Sequence, residues 1–410
     1  MDQSPLPVGI PVTSGSGSQV PLPRWKRVTF TAILAIAVIA LLEWGSRTYL
    51  RYAQGYDGEH LYQYAFDAYK NILPTPNYTD TRGVRHNGQG FRRDADIPFT
   101  KAVGTYRVFL MGASTGYGLG GLWGHIDPGY PVLKNSETID AYLERELKRR
   151  HPDRRFEVIN AAITSTWTHH ELIYLNQTIL RYQPDMVLFL DGFNDFYFAT
   201  PGHDQFADYA YNLQSRTVMG DPTLSSLAYG IGWWAFRKSA AVHIAGRALR
   251  VVKLLLTPEE KQAPVDVGQA LADLPAVFQH NALKMHRRIG LILRDEGVTA
   301  VFMVQPLLAV ERDHKPMQGV EKKLFDFNIS SYRPNYESFI RQARDTVVKY
   351  ESAMAREVGA EHIDLTRLFG GIREQAYTDY AHLTPLGNEM VARRIADQLE
   401  PHFQGQSAAR

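Results

Sequence analysis

Short apolar runs alternate with longer stretches of helical spacing along most of the chain. Residues 106–111 (YRVFLM), 156–160 (FEVIN), 186–191 (MVLFLD), 299–305 (TAVFMVQ) and 362–365 have strand length and strand composition. The segments 136–149, 171–181, 281–296, 336–358 and 385–399 carry apolar positions at helical spacing. Strands buried on both faces read as continuous apolar runs, and intervening helices impose parallel pairing. The pattern predicts a three-layer α/β/α domain with a central parallel sheet over residues 101–402. The rhythm fails over residues 197–279, which read as a helical insertion over one edge of the sheet. Arg237, Lys238, Arg247, Arg250 and Lys253 in this stretch fall on no single helical face. A packed cap, a membrane-surface element and a substrate lid all stay open there.

Ahead of the domain, residues 1–23 are rich in Pro, Gly and Ser and cannot offset their own ordering entropy. With Arg24, Lys26 and Arg27 they form a disordered, cytoplasmic tail, residues 1–27. An uncharged run of Ala, Ile, Leu and Val follows, flanked by Trp25 and Trp44. It predicts a transmembrane signal anchor at 28–44, single-pass in the cell membrane, with the main domain extracytoplasmic. A cleaved signal peptide, with 38–40 as its small-residue site, and a buried core helix are the alternatives. Residues 45–100 read as a helical stalk, amphipathic to about Tyr69, and then a Pro-, Asn- and Gly-rich linker.

Composition narrows the function. The 410 residues are 44% hydrophobic and carry a net charge of only +2, with no zinc-finger or basic-repeat spacing, so no nucleic-acid partner is predicted. The chain has no cysteine, which removes thiolate catalysis, disulfides and cysteine zinc sites. His169 and His170 are adjacent, face different ways on a helix and lack a metal-ligand spacing. Neither metal nor cofactor is expected.

In an open parallel sheet, ligands bind beyond the C-terminal ends of the strands. The segments found there are Gly112-Ala113-Ser114-Thr115-Gly116, Asn160-Ala161-Ala162, Asp191-Gly192-Phe193-Asn194-Asp195, and, near the end of the chain, Asp379-Tyr380-Ala381-His382-Leu383-Thr384. A serine hydroxyl needs a neighbouring base to become a nucleophile. His382 can serve, and Asp379, three residues earlier, can fix its tautomer. The backbone N–H groups of Ser114 and Ala162 and the Asn194 amide are candidate donors for an oxyanion. Gly192 would permit the sharp turn that leaves Asn194 on the rim. Asp195 reads as a structural turn residue.

The ordered set GAST, NAA, GFND and DYAHLTPLGN resembles the SGNH hydrolase (GDSL-like esterase) superfamily, and Asn87-Gly88-Gln89-Gly90-Phe91-Arg92 is similar to a segment preceding the serine block in its membrane-anchored bacterial members. The resemblance covers residues 87–399, with 196–279 poorly matched. It implies an SGNH/flavodoxin-like fold and a serine esterase with Ser114, His382 and Asp379 as the triad. Ser114, Ala162 and Asn194 would then form the oxyanion hole. Acyl esters are the implied substrates, an acylated glycan or lipid among them. Two positions depart from the family: Ala113 where Asp is frequent, and Ala162 where Gly is usual. A positive φ at Ala162 would displace its N–H.

Three rivals stand beside this reading. O-acyl transfer to an envelope polysaccharide would use the same triad. A non-catalytic binding module would keep the fold alone. Residues 116–121 satisfy G-x-G-x-x-G after a strand, but the second strand ends in Asn160, without the carboxylate a dinucleotide ribose requires.

Overall fold

Val, Ile, Leu and Phe fill the expected strands so densely that these segments are stable only when covered on both faces. In the computed structural model, which describes residues 23–54, 61, 63–67, 71–80, 83–120, 133–198, 224–256, 263–325 and 334–404, the inner strands are so covered and the last, at the sheet edge, only in part. A hairpin of β1 (Tyr64–Asp67) and β2 (Asn71–Pro74) precedes the main sheet. The main sheet contains β3 (Thr105–Gly112), β4 (Arg155–Asn160), β5 (Met186–Asp191), β6 (Thr299–Val304) and β7 (Glu361–Asp364). Its order is β4-β3-β5-β6-β7, parallel throughout. All six residues of the central β5 are buried. The expected α/β fold with a parallel sheet is the fold observed.

Helices cover both faces. After the N-terminal α1 (Arg24–Gln54), α2 (Ser114–Tyr117) follows β3 directly, and α3 (Ile139–Arg150) leads into β4. The next elements are α4 (Thr168–Gln177), α5 (Phe193–Phe198), α6 (Leu224–Lys238), α7 (Ala240–Leu256), α8 (Val267–Phe278) and α9 (Lys284–Asp295). The short α10 (Leu308–Glu311) and α11 (Gly319–Leu324) precede α12 (Tyr336–Val358) and α13 (Pro385–Phe403). The α3 helix packs with the last helix, α13, whereas α4, α8, α9 and α12 pack against one another. The strand order reverses at β3, with β4 on one side and β5 on the other, so the C-terminal ends of β3 and β5 frame the crevice where an open α/β sheet takes its ligand.

Three boundaries differ from the sequence reading. The helix expected to run to about Tyr69 ends at Gln54, and Tyr64–Asp67 instead pairs antiparallel with Asn71–Pro74. Four residues of strand are too few to interrupt an amphipathic count. The apolar helix continues well past Trp44: residues Arg24–Ala53 are long and apolar enough to cross a membrane, and none of the most apolar window is buried. Within the expected insertion, α8 belongs to the main core, burying Ala270, Leu274 and Phe278; Pro275 inside it obscures the helical pattern. Residues 199–223 of the insertion and 1–22 of the tail lie outside the described residues.

The remaining insertion helices rest on α1. Leu50, Leu61 and Ala240 form a small buried cluster with Ile244 against it. Arg47 pairs with Glu43 at 2.8 Å and donates to the Lys238 carbonyl at 2.7 Å.

Candidate active site

Gly112 ends β3 with φ at +136°, and a Cβ added there would stand 2.4 Å from the backbone oxygen of Leu190 on β5. Glycine alone allows the chain to turn off the sheet while the two strands stay paired. Ala113 is then extended, and Ser114 opens α2. Arg92 grips the far end of that short helix, donating to the Tyr117 and Gly118 carbonyls at 2.7 Å each. Asn87 builds the loop that delivers Arg92: its side-chain oxygen accepts the N–H groups of Gln89 and Phe91.

The other half of the site is a tight loop. Tyr377 bridges to Leu383, Thr378 N–H donates to the His382 carbonyl at 2.9 Å, and Thr384 N–H donates to Ala376 at 2.8 Å. Thr384 then caps α13 by accepting the Gly387 N–H at 3.2 Å, with Pro385 in the first turn. Such a cap and proline start a helix cleanly, so the loop cannot unwind into it.

These elements bring together three side chains from opposite ends of the domain. His382 Nε2 lies 2.7 Å from Ser114 Oγ, and His382 Nδ1 lies 2.7 Å from Asp379 Oδ2. The second carboxylate oxygen of Asp379 accepts the N–H groups of Ala381 and His382, both at 2.9 Å. Burial alone would raise the Asp379 pKa; His382 and the two backbone donors outweigh it and hold the carboxyl below its usual range. A buried carboxylate that stays ionised keeps Nδ1 protonated and leaves the Nε2 lone pair toward the serine.

The candidate oxyanion donors are arranged otherwise than the sequence suggests. Ala162 has no positive φ, so its Cβ causes no strain. Its N–H, however, donates to Asn160 Oδ1 at 3.1 Å. The Asn194 amide nitrogen donates to the Thr166 carbonyl at 2.6 Å, which uses one of its two hydrogens. Gly192 has φ at +147°, and a Cβ there would meet Gln305 Cγ at 2.8 Å. Asp195 ties the turn, accepting Gly192 N–H at 3.2 Å and the Thr168 hydroxyl at 2.9 Å.

Two features escaped the sequence reading. Gln305, one residue beyond β6, donates to the Thr115 hydroxyl at 3.0 Å, and Thr115 donates to the Ala381 carbonyl at 3.2 Å. This bridge joins the serine helix to the histidine loop; its signal in the sequence is a polar Gln305 directly after an apolar strand, the position from which the other rim segments also start. The second is a buried network behind the rim. His286 sits between Glu351, 2.9 Å from Nδ1, and Asp191, 3.2 Å from Nε2. Burial opposes its charge, but the two carboxylates prevail and raise its pKa well above the ordinary value. Burial, reinforced by Asp191, pushes Glu171 well up and Asp195 up to about 7. Glu171, Asp191 and His286 offer ligand atoms within 4.8 Å of one another, the one such trio among the described residues.

The glycines at 116 and 118 serve α2. Gly118 is its left-handed cap at φ +77°, and Asn160 Nδ2 donates to the Gly116 carbonyl at 3.0 Å. Gly121 lies outside the described residues.

No protein-family model matches the chain, and no curated protein sequence matches it. Among solved structures, a catalytic mutant of Axe2, an acetylxylan esterase from Geobacillus stearothermophilus, aligns over 74% of this chain and 96% of its own, with 11% identity and a TM-score of 0.39. The acetyl xylan esterase AlAXEase aligns over 72% of this chain and 99% of its own, with 12% identity and a TM-score of 0.33. TesA aligns over 72% and 98%, with 14% identity and a TM-score of 0.33.

Proposed function

We propose that this chain is a serine-dependent ester hydrolase of the SGNH type, acting on acyl esters outside the cytoplasmic membrane. The reading rests on one observation: the unbroken chain of hydrogen bonds from Asp379 through His382 to the Ser114 hydroxyl, 2.7 Å at each step. Ser114 Oγ attacks the ester carbonyl carbon as His382 Nε2 takes its proton. Asp379 stabilises the imidazolium that forms. His382 then passes the proton to the departing alkoxide, leaving an acyl group on Ser114. Water, deprotonated by the same imidazole, attacks the acyl-enzyme and releases the acid. The charge on the tetrahedral oxygen falls to the Ser114 N–H and the second hydrogen of the Asn194 amide, with Ala162 joining if its N–H is shared. The N-terminal helix serves as the anchor in this reading, because its apolar window is uncovered by protein.

A fluorophosphonate probe tests the chemistry. Labelling that is lost in Ser114→Ala, together with turnover of p-nitrophenyl acetate and longer esters, is the expected result. A wild-type chain that neither labels nor turns over any ester of the series would remove the proposal. Resistance of the full chain to alkaline carbonate extraction tests the anchor separately.

A further inference from the structure

The helical hairpin of α6 and α7, residues 224–256, has no role in the chemistry above. Its inner side is well made. Phe236 packs on His243 with ring centroids 4.5 Å apart and on Trp233 at 5.6 Å, and Gly246 lets Phe236 approach where a Cβ would meet it at 2.8 Å. Its outer side is apolar and bare. Leu224, Leu227, Ile231 and Trp234 recur at spacings of three and four along α6, and all are exposed, Trp234 by 65%. Val242, Leu249, Val252 and Leu256 form the matching stripe on α7, with Leu249 68% exposed. Two helices rarely leave such stripes to water, because each exposed apolar side chain forgoes the free energy of its burial.

The place of the hairpin says what covers it. Glu43 is the first charged residue after the apolar run of α1, so it marks where a spanning helix would meet water. Its carboxylate accepts the Ala240 and Ala241 N–H groups at 3.0 and 3.2 Å and the Ser239 hydroxyl at 2.7 Å. The turn between α6 and α7 is thereby pinned at the depth of that boundary. The charge of the hairpin is equally one-sided. It contains Arg237, Lys238, Arg247, Arg250 and Lys253 and no acidic residue, in a chain whose whole net charge is +2. A second copy stacked stripe to stripe would set like charge against like, whereas anionic headgroups carry the opposite sign.

We propose that residues 224–256 form a second membrane contact, lying at the headgroup level of an anionic leaflet beside α1 with their apolar stripes turned into the acyl chains. The contact also bears on the site's position. Leu61 packs in the same cluster as Leu50 and Ala240; two residues on, Gln63 is hydrogen-bonded to the Tyr117 hydroxyl, at the end of the helix that Ser114 begins. The serine helix is thus tied by a short path to the same boundary.

The absence of native cysteine makes the test direct. The full chain, reconstituted into phosphatidylcholine–phosphatidylglycerol vesicles, is spin-labelled at Leu227→Cys, Leu249→Cys or Leu256→Cys, exposed positions where substitution removes no packing. Arg149→Cys, exposed on α3, supplies the water-facing reference, and Ile33→Cys reports separately on whether α1 spans. The expected result is a severalfold higher ratio of oxygen to nickel-complex accessibility at the hairpin than at residue 149. The ratio should fall in pure phosphatidylcholine. Hairpin labels as open to nickel as the reference, or shielded from both reagents as at a protein contact, would overturn the proposal whatever the label at residue 33 reports.

Discussion

The side-chain oxygen of Asn160 accepts the Ala162 N–H, while the Asn160 amide nitrogen is divided among Gly116, Tyr117 and Asp140. The Asn160 carboxamide is therefore locked in orientation, and the Ala162 donor is turned toward it before substrate arrives. The Asn194 amide must then carry a larger share of any oxyanion. Asn194→Ala is expected to lower kcat by roughly 10²–10³ with little change in KM. A steady-state series in which only KM rises would assign Asn194 to binding instead.

Removing the nucleophile or its base should be far more costly than removing a donor. Ser114→Ala and His382→Ala are each expected to lower kcat by on the order of 10⁴ or more, and the double variant no further. Asp379→Asn should leave the imidazole in the wrong tautomer and cost about 10⁴. Steady-state rates of the single and double variants check this. Additive losses would mean that the three side chains do not act as a unit.

Gly112 is a severe constraint on the sequence at this rim. Gly112→Ala puts a methyl group 2.4 Å from the Leu190 carbonyl and demands a φ that alanine rarely adopts. The expected cost is about 3 kcal/mol or more in stability. Denaturant unfolding measures it; a loss under 1 kcal/mol, on the order of an ordinary surface substitution, would show that the strand end relaxes freely.

His86 predicts an acid-side weakness. Its ring is buried, with Nδ1 2.9 Å from the Thr75 carbonyl and Nε2 2.7 Å from the Tyr117 hydroxyl. Burial, aided by the nearby Arg92 charge, outweighs the Thr75 carbonyl and lowers its pKa to about 3. An unfolded histidine takes up its proton near about pH 6.5, which the folded ring refuses until near 3. The depressed folded value means that this stability is present above about pH 6.5 and is lost as pH falls. His86→Gln should flatten the pH dependence of unfolding between about pH 4 and 6 by up to ~1.4 kcal/mol per pH unit. An unchanged slope, measured by denaturant titration at several pH values, would place the acid sensitivity elsewhere.

The inner strands were legible because burial on both faces leaves an apolar run, as in Met186–Asp191, whereas the edge strand Glu361–Asp364 is only partly buried. The short motifs at their ends were legible because few residue types can perform acyl transfer. What stayed hidden depends on long-range geometry. Nothing near Asn160 in the sequence indicates that its side chain would turn back onto Ala162. The five-residue network around His286 draws members from residues 171 to 351, and no local spacing links them. The hairpin's association with α1 through Glu43 was equally invisible, since a single acidic residue after an apolar run reads only as a boundary.

The sequence separation of 268 between Ser114 and His382 also sets an order of events in synthesis. The ribosome releases the serine together with the strand that carries it, and releases the imidazole only after every strand of the main sheet has been made. Until the final loop folds back, the nascent chain holds a hydroxyl without a base. On the chemistry proposed above, it has no activated nucleophile until that loop closes.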